Sequence, residues 1–148
     1  MNGLKLKAIG ADEVEILSAA LEGAITSPGE LSYSSKSRQF TMTASRFMWE
    51  QFDRSGSKTG HRTRSGLLIT DILSARRQNL PQNPDTALEL LSIEATAGED
   101  GAAELTLYFA GSTSIALSVE CVDIALTDVG DAWETDVIPA HELDKENS

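Results

Sequence analysis

At 148 residues, 41% of them hydrophobic, the chain has the length of one domain and enough apolar side chains to bury a core without a metal or disulfide staple. Its net charge of −11 argues against non-specific nucleic-acid binding, and it has no run of about eighteen apolar residues that could span a membrane as a helix. The single cysteine, Cys121, excludes an intrachain disulfide and fits a reducing, cytoplasmic setting, and Met1 to Gly10 has no apolar stretch of signal-peptide length.

Leu4 to Ile9 alternates apolar and polar residues, which predicts a short strand ended by Gly10. Asp12 and Glu15 have capping-box spacing, with Asp in place of the usual Ser or Thr. The stripe Val14, Leu17, Leu21 and Ala24 then predicts a helix from about Glu13 to Ala24, stopped by Pro28 and Gly29. Leu31 and Tyr33, a polar turn from Ser34 to Ser37, and the alternating Phe40, Met42 and Ala44 read as a hairpin whose second strand runs towards Phe47 and Trp49. Asp53 to Thr63 is polar, carries Gly56 and Gly60, and reads as a mobile loop.

Leu67 to Ala75 is one strand, or two that meet at a bend near Asp71. The prolines between Asn79 and Asp85 mark a second loop, because they forbid continued pairing. Leu88 to Ala95, Glu104 to Phe109 and Ser114 to Val119 are three further strands, with glycine-bearing turns at 97–101 and 111–113 between them. Val119 to Trp133 admits two readings. Val122, Ile124 and Leu126 alternate as a strand would, while Val119, Val122, Leu126, Val129 and Trp133 form one helical stripe that Gly130 could end. The helix is the reading taken here, and it leaves Ile124 on the exposed side.

One early helix, about seven antiparallel strands and a closing amphipathic helix make an α+β domain over residues 1–138, predominantly antiparallel sheet or barrel, with 139–148 a flexible acidic tail. Strands followed by a helix resemble the pleckstrin-homology-like barrel, in which a C-terminal helix plugs one open end. The run from Leu68 to Ala75 also resembles the middle strands of such domains. That resemblance implies a fold and leaves function open, since the fold serves lipid, peptide and protein binding alike. The stretches Ser45 to Glu50, Val119 to Val122, Asp128 to Trp133 and Pro139 to His141 resemble a family of small bacterial proteins known only as a domain of unknown function. This second resemblance covers nearly the whole chain and implies no activity.

Charge is unevenly divided along the chain. From Lys36 to Arg77 lie nine of the twelve basic residues against Glu50, Asp53 and Asp71, a local net of +6, whereas residues 1–35 carry −3 and residues 78–148 carry −14. Such a field can steer anions or partner chains. The candidate contacts are Arg46, Arg54, Lys58, His61, Arg62, Arg64, Arg76 and Arg77, placed at turns and strand ends where they could form one rim, arginine being suited to phosphate or carboxylate. The plainer readings are charges that discourage edge-to-edge sheet pairing, or charges that balance the acidic half of the molecule.

No catalytic set accompanies this block. His61 lies in a predicted loop and His141 in the predicted tail, and Glu120 and Asp123 would raise rather than lower the thiol pKa of Cys121, which reads as a buried or half-buried small side chain. HExxH, CxxC, calcium-loop and nucleotide-binding glycine patterns are missing, so no metal and no cofactor is expected. Trp49 and Trp133 read as core anchors or barrel caps, although an exposed tryptophan beside Arg46 would mark a binding hot spot. The function expected is a non-catalytic binding or adaptor domain that recognises a protein partner through the basic rim. The alternatives are an enzyme or sensor for an anionic metabolite, with Arg46, His61 and Arg64 lining its pocket, and a self-associating homo-oligomer.

Overall fold

The computed structural model of the protein describes residues 3–53 and 58–139. Its strands are β1 (Lys5–Ala8), β2 (Ile25–Thr26), β3 (Leu31–Ser34), β4 (Gln39–Phe47), β5 (Gly60–Ile69), β6 (Ile72–Gln78), β7 (Leu88–Ala97), β8 (Ala103–Phe109), β9 (Thr113–Val119), β10 (Ile124–Asp128) and β11 (Trp133–Thr135). One α-helix, α1 (Val14–Leu21), stands between β1 and β2. Every strand pair is antiparallel, and the sheet follows the path β1-β10-β5-β4-β2-β7-β8-β9-β6, with β3 also on β4 and β11 also on β5. The molecule is thus mostly antiparallel sheet with one short helix.

Strand alternation sets the core. Phe40, Met42 and Ala44 of β4 face inward, in register with Ile69, Leu67 and Ser65 of β5, which face Ile124, Leu126 and Asp128 of β10. Val14, Leu17 and Leu21 of α1 are buried in the same core. The helix is shorter than its sequence suggests, because Gly23 turns the chain with φ +81. A Cβ at Gly23 would also stand 2.5 Å from Pro139 Cβ. Asp12 makes no capping contact at the start of the helical segment; the Glu13 carboxylate accepts the Ile9 N–H at 2.8 Å instead.

Three further expectations need correction. Residues 119–133 form no helix: Val119 ends β9, Ile124 to Asp128 is β10, and Trp133 begins β11. Ile124, the residue a helix would have exposed, is fully buried, while Val129 and Trp133 from the helical stripe are 49% and 42% exposed. β10 hydrogen-bonds to β1 on one side and β5 on the other, and pairing on both edges outweighs the helical spacing. The pleckstrin-homology-like plan thereby loses its plugging helix among the described residues. Gly60 to Thr63, read as the end of a mobile loop, is the start of β5, while 54–57 lie outside the described residues, as do 140–148 of the expected tail. The segment from Leu67 to Ala75 is two strands, which meet at Asp71 with φ +61.

Candidate functional site

The fold brings the acidic flanks back onto the basic block. Arg38 pairs with Glu120, Arg46 with Asp128 and Glu50, Arg64 with Glu30, and Arg76 with Glu104. Glu30, Glu104, Glu120 and Asp128 all come from outside the window 36–77. Much of the charge division seen along the chain is therefore neutralised in three dimensions.

Arg46 is the extreme case. It continues the inward face of β4 beyond Ala44, and its side chain is 0% exposed. Asp128 receives Nε at 2.8 Å and Nη2 at 2.9 Å, and Glu50 receives Nη1 at 3.0 Å and Nη2 at 2.6 Å. The Phe47 carbonyl accepts a further bond from Nη1 at 3.3 Å. A guanidinium has five N–H donors, and all five are used here, so none is left for a ligand. Ser65 Oγ and the Leu4 N–H complete Asp128 at 2.6 and 2.8 Å, which ties β4, β5, β10 and the chain before β1 to one carboxylate.

The electrostatics of this cluster follow from those contacts. Burial alone would raise the Asp128 pKa, but the bonds from Arg46, Ser65 and Leu4 and the charge of Arg46 outweigh it and hold the carboxyl below its ordinary range. The Arg46 bonds likewise lower Glu50, against a smaller opposing effect of burial. Burial opposes the charge of Arg46, yet its two carboxylate partners prevail and its pKa is raised.

Arg62 and Trp49 do a different structural job. The Trp49 indole N–H donates to the Glu22 carbonyl at 2.8 Å, and Arg62 donates to the carbonyls of Gly23 at 3.2 Å and Ser45 at 2.8 Å. The Glu22 and Gly23 carbonyls follow α1 and are left without helical partners where the helix stops, while the Ser45 carbonyl belongs to β4, so Arg62 ties the helix end to that strand. Arg62 also lies over the Phe47 ring at 5.9 Å, and Phe47, Trp49 and Phe52 pack edge to face. Burial depresses the Arg62 pKa, against a weaker attraction from Glu89.

Arg77 stands apart. It is exposed and pairs with Ile115 of β9, whose side chain faces the core, so Arg77 projects from the inner face of β6. Its side chain forms no hydrogen bond or ion pair with another described residue. It borders a groove of about 320 Å³ between β3 and β6, floored by Phe40 and Ile115 and walled by Leu31, Tyr33, Ala75 and Leu80. Tyr33 faces the buried Phe40 across the β3–β4 pair, so its ring also lies on the inner side. One end of the groove is clasped by Arg38, whose carbonyl accepts the Ile72 N–H at 3.2 Å while its Nε donates to the Ile72 carbonyl at 3.2 Å. The other end is covered by the loop from Asn79, docked where the Gly29 N–H meets the Pro84 carbonyl at 2.9 Å.

Of the residues named from sequence, Arg76 and Arg77 line this groove, whereas Arg46, Lys58, His61, Arg62 and Arg64 do not. A second groove, between α1 and β7, is lined by Asp12, Glu15, Ser18 and Glu94 and by none of the basic candidates. His61 lies on β5 opposite Glu134, Lys58 is exposed before that strand, and Arg54 and His141 fall outside the described residues. Cys121 is exposed rather than buried, and its Sγ lies 3.3 Å from Asp71 Oδ2. That contact first, with slight loss of hydration and the neighbouring carboxylates behind it, raises its pKa and disfavours the thiolate. Among the described residues no group of three or more His, Cys, Asp or Glu is placed to hold a metal ion, and no helix is long and apolar enough to cross a membrane.

None of Glu50, Ser65, Asp128, Tyr33 or Leu80 is among the site residues expected from sequence, and Asp128, which beside Asp131 reads as solvated charge in a turn, instead has a buried side chain at the end of β10. Strand alternation carried the signal for two of them. Extending Ile124 and Leu126 by one step places Asp128 inward, and extending Tyr33 from Leu31 places Tyr33 on the inner side of its hairpin.

These features define a class: a β-rich α+β protein with a buried ion cluster at one end of its sheet and a cationic, apolar-floored groove between two strand edges. The chain belongs to the protein of unknown function family DUF2948, which it matches over residues 4–141. No curated protein and no solved structure matches it.

Proposed function

We propose that residues 1–138 act as one non-catalytic binding domain, which takes an anionic partner at the groove between β3 and β6 with Arg77 as its charged contact. The observation that carries this reading is an exposed arginine on the inner face of a strand, above an apolar floor, with no carboxylate of the described residues against it. An exposed guanidinium with no internal carboxylate, set beside apolar surface, suits a ligand with a negative group and an apolar body. The rim expected from sequence is accordingly narrowed. Arg46 and Arg62 hold the fold together, Arg64 and Arg76 have carboxylate partners, and Lys58 and Arg54 remain accessory candidates for long-range attraction. The raised thiol pKa of Cys121 supports binding rather than catalysis at that residue, and the free cysteine suits a cytoplasmic protein.

Titration with 2-naphthoate, an apolar body bearing one carboxylate, tests this reading by two-dimensional NMR of the amide groups. Shifts confined to residues 31–33, 75–80 and 115, and lost in Arg77→Glu, are expected. Shifts centred on β5 or β11, or none at millimolar probe, would overturn it.

A further inference from the structure

The walls of the groove are themselves strands with a free side. Among the described residues β3 pairs with β4 alone and β6 with β9 alone. The Arg38–Ile72 clasp joins the turn of the β3 hairpin to the start of β6 with one backbone hydrogen bond and one from the Arg38 side chain. Beyond that clasp no backbone hydrogen bond links β3 to β6, and the apolar floor of Phe40 and Ile115 is reached between them. A strand edge with unpaired N–H and C=O groups is a template for another extended chain. Proteins blunt such an edge with charge, an inward-pointing charge included. Arg77 projects from the inner face over the groove, so it bars an apolar or basic strand from this edge and admits one with an acidic side chain at the facing position.

We infer that the partner is an extended polypeptide segment that adds to the open edge of β6 as an antiparallel strand, with an acidic side chain meeting Arg77. This rests on the groove being the binding site, as proposed above. β6 is the better template of the two walls, with the five residues Ser74 to Gln78 in unbroken register against four in β3, and antiparallel pairing is the more stable arrangement per residue. The direction of β6 fixes the order of side chains. Arg77 lies near the end of β6, so an antiparallel segment meets it near its own N-terminal end. Residues directly opposite share a face, so the position facing Arg77 is acidic. The position two residues later faces Ala75 and points at the floor of Phe40 and Ile115, where an apolar side chain belongs. The segment therefore reads acidic, any residue, apolar, and the irregularity between Ile72 and Ser74 ends the strict alternation beyond that point. The intervening side chains face solvent alongside Arg76, which is held by Glu104. Backbone pairing would supply affinity and the alternate pockets specificity.

The probe is the acetylated and amidated heptapeptide Ser-Glu-Ser-Leu-Ser-Val-Ser, compared with the same residues in reverse order and with Lys in place of Glu. At about 1 mM peptide, a concentration that detects millimolar affinity, those amides between Ser74 and Gln78 that point away from β9 should exchange more slowly with deuterium, and the alternate ones bonded to β9 should change little. Arg77→Glu should weaken the Glu peptide by about tenfold or more through like-charge opposition and should restore binding of the Lys peptide. The reversed peptide should bind more weakly than the forward one. Binding of 2-naphthoate at Arg77 without binding of the heptapeptide would overturn the strand inference and leave the binding-domain reading standing. Failure of both probes would overturn both. Heptapeptide binding that protects β1 or β5 and leaves β6 unchanged would overturn the inference as well.

Discussion

Arg46 and Arg77 come from the same basic block and both occupy inward positions near the end of a strand, yet they have opposite surroundings. β4 lies inside the sheet, so the inner face around Arg46 is furnished by Ser65 and Asp128 of the neighbouring strands, and the turn at Trp49–Gln51 brings Glu50 over it. β6 lies at the end of the sheet path, so Arg77 has β9 on one side and a groove on the other. One guanidinium has every donor occupied by the fold, and the other has its side chain free among the described residues. Local charge density along the sequence is the same property for both. What separates a structural cation from a candidate contact is whether the next strand supplies its counter-ion, and that depends on topology.

The comparison breaks most directly at Asp128. Asp128→Ala would leave Arg46 buried with only the half-exposed Glu50 to oppose it, and removing one member of a buried pair costs about 3–5 kcal/mol. Urea denaturation should register that loss as a lower midpoint with an unchanged slope. Replacing Arg46 and Asp128 together with Met and Leu should recover most of the stability, because the pair as a whole costs much of its attraction in lost hydration. If Asp128→Ala costs under about 1 kcal/mol, the cluster is not the structural element described here.

The end of the sheet that holds Arg46 is also closely packed. A Cβ on Gly60 would lie 2.3 Å from Phe47 Cζ, and Phe47 is fully buried. Gly60→Ala should therefore cost about 1–3 kcal/mol, the range for overfilling a packed core. A neutral outcome by thermal denaturation would mean that Phe47 can move aside. The sequence placed this glycine in a mobile loop, since its neighbours are polar and nothing nearby needs burial. Its role depends on an aromatic residue 13 positions earlier.

That error has the same physical origin as the others. Patterns within one segment were legible: the stripe of α1, the β3–β4 hairpin, the strands β7 to β9 and their turns, and the bend at Asp71 all follow from local periodicity and turn residues. The family resemblance was legible too, and its stretches Ser45 to Glu50 and Asp128 to Trp133 contribute Arg46, Glu50 and Asp128 to the buried cluster. What was hidden needed partners distant in sequence. β10 is a strand because β1 and β5 pair with it, although its residues also fit a helix. Arg46 is structural because a carboxylate 82 residues away reaches it. The groove is defined by the failure of β3 and β6 to pair, which no local pattern records.

Acid should expose the cluster before it affects the groove. Asp128 and Glu50 are held below their ordinary values of 3.8 and 4.5. A carboxyl depressed in the fold stabilises it fully at pH above its unfolded value, and that contribution fades as pH falls through the lower folded value. Stability should thus be level with respect to these two groups near neutrality and decline below about pH 4.5. Asp128→Asn should flatten part of that decline. An identical acid profile in wild type and variant would remove Asp128 from the account.

The smallest effect on stability belongs to Arg77, and it carries as much weight as the largest. A residue with no intramolecular partner at an exposed position should be replaceable within about 0.5 kcal/mol. Arg77→Glu is a stringent form of the test, because it reverses the charge and keeps a long polar side chain. If Arg77 secretly stabilised the molecule, for example by attracting the acidic flanks at long range, reversal would lower the denaturation midpoint, and more so at low salt, where screening is weak. If instead the glutamate variant matches wild type at low and high salt, the fold gains nothing from a cation at this inner-face position. Arg77 is then outside the set of residues that hold the fold, as the proposed contact requires, which is the opposite of the conclusion that Asp128→Ala would force for Arg46.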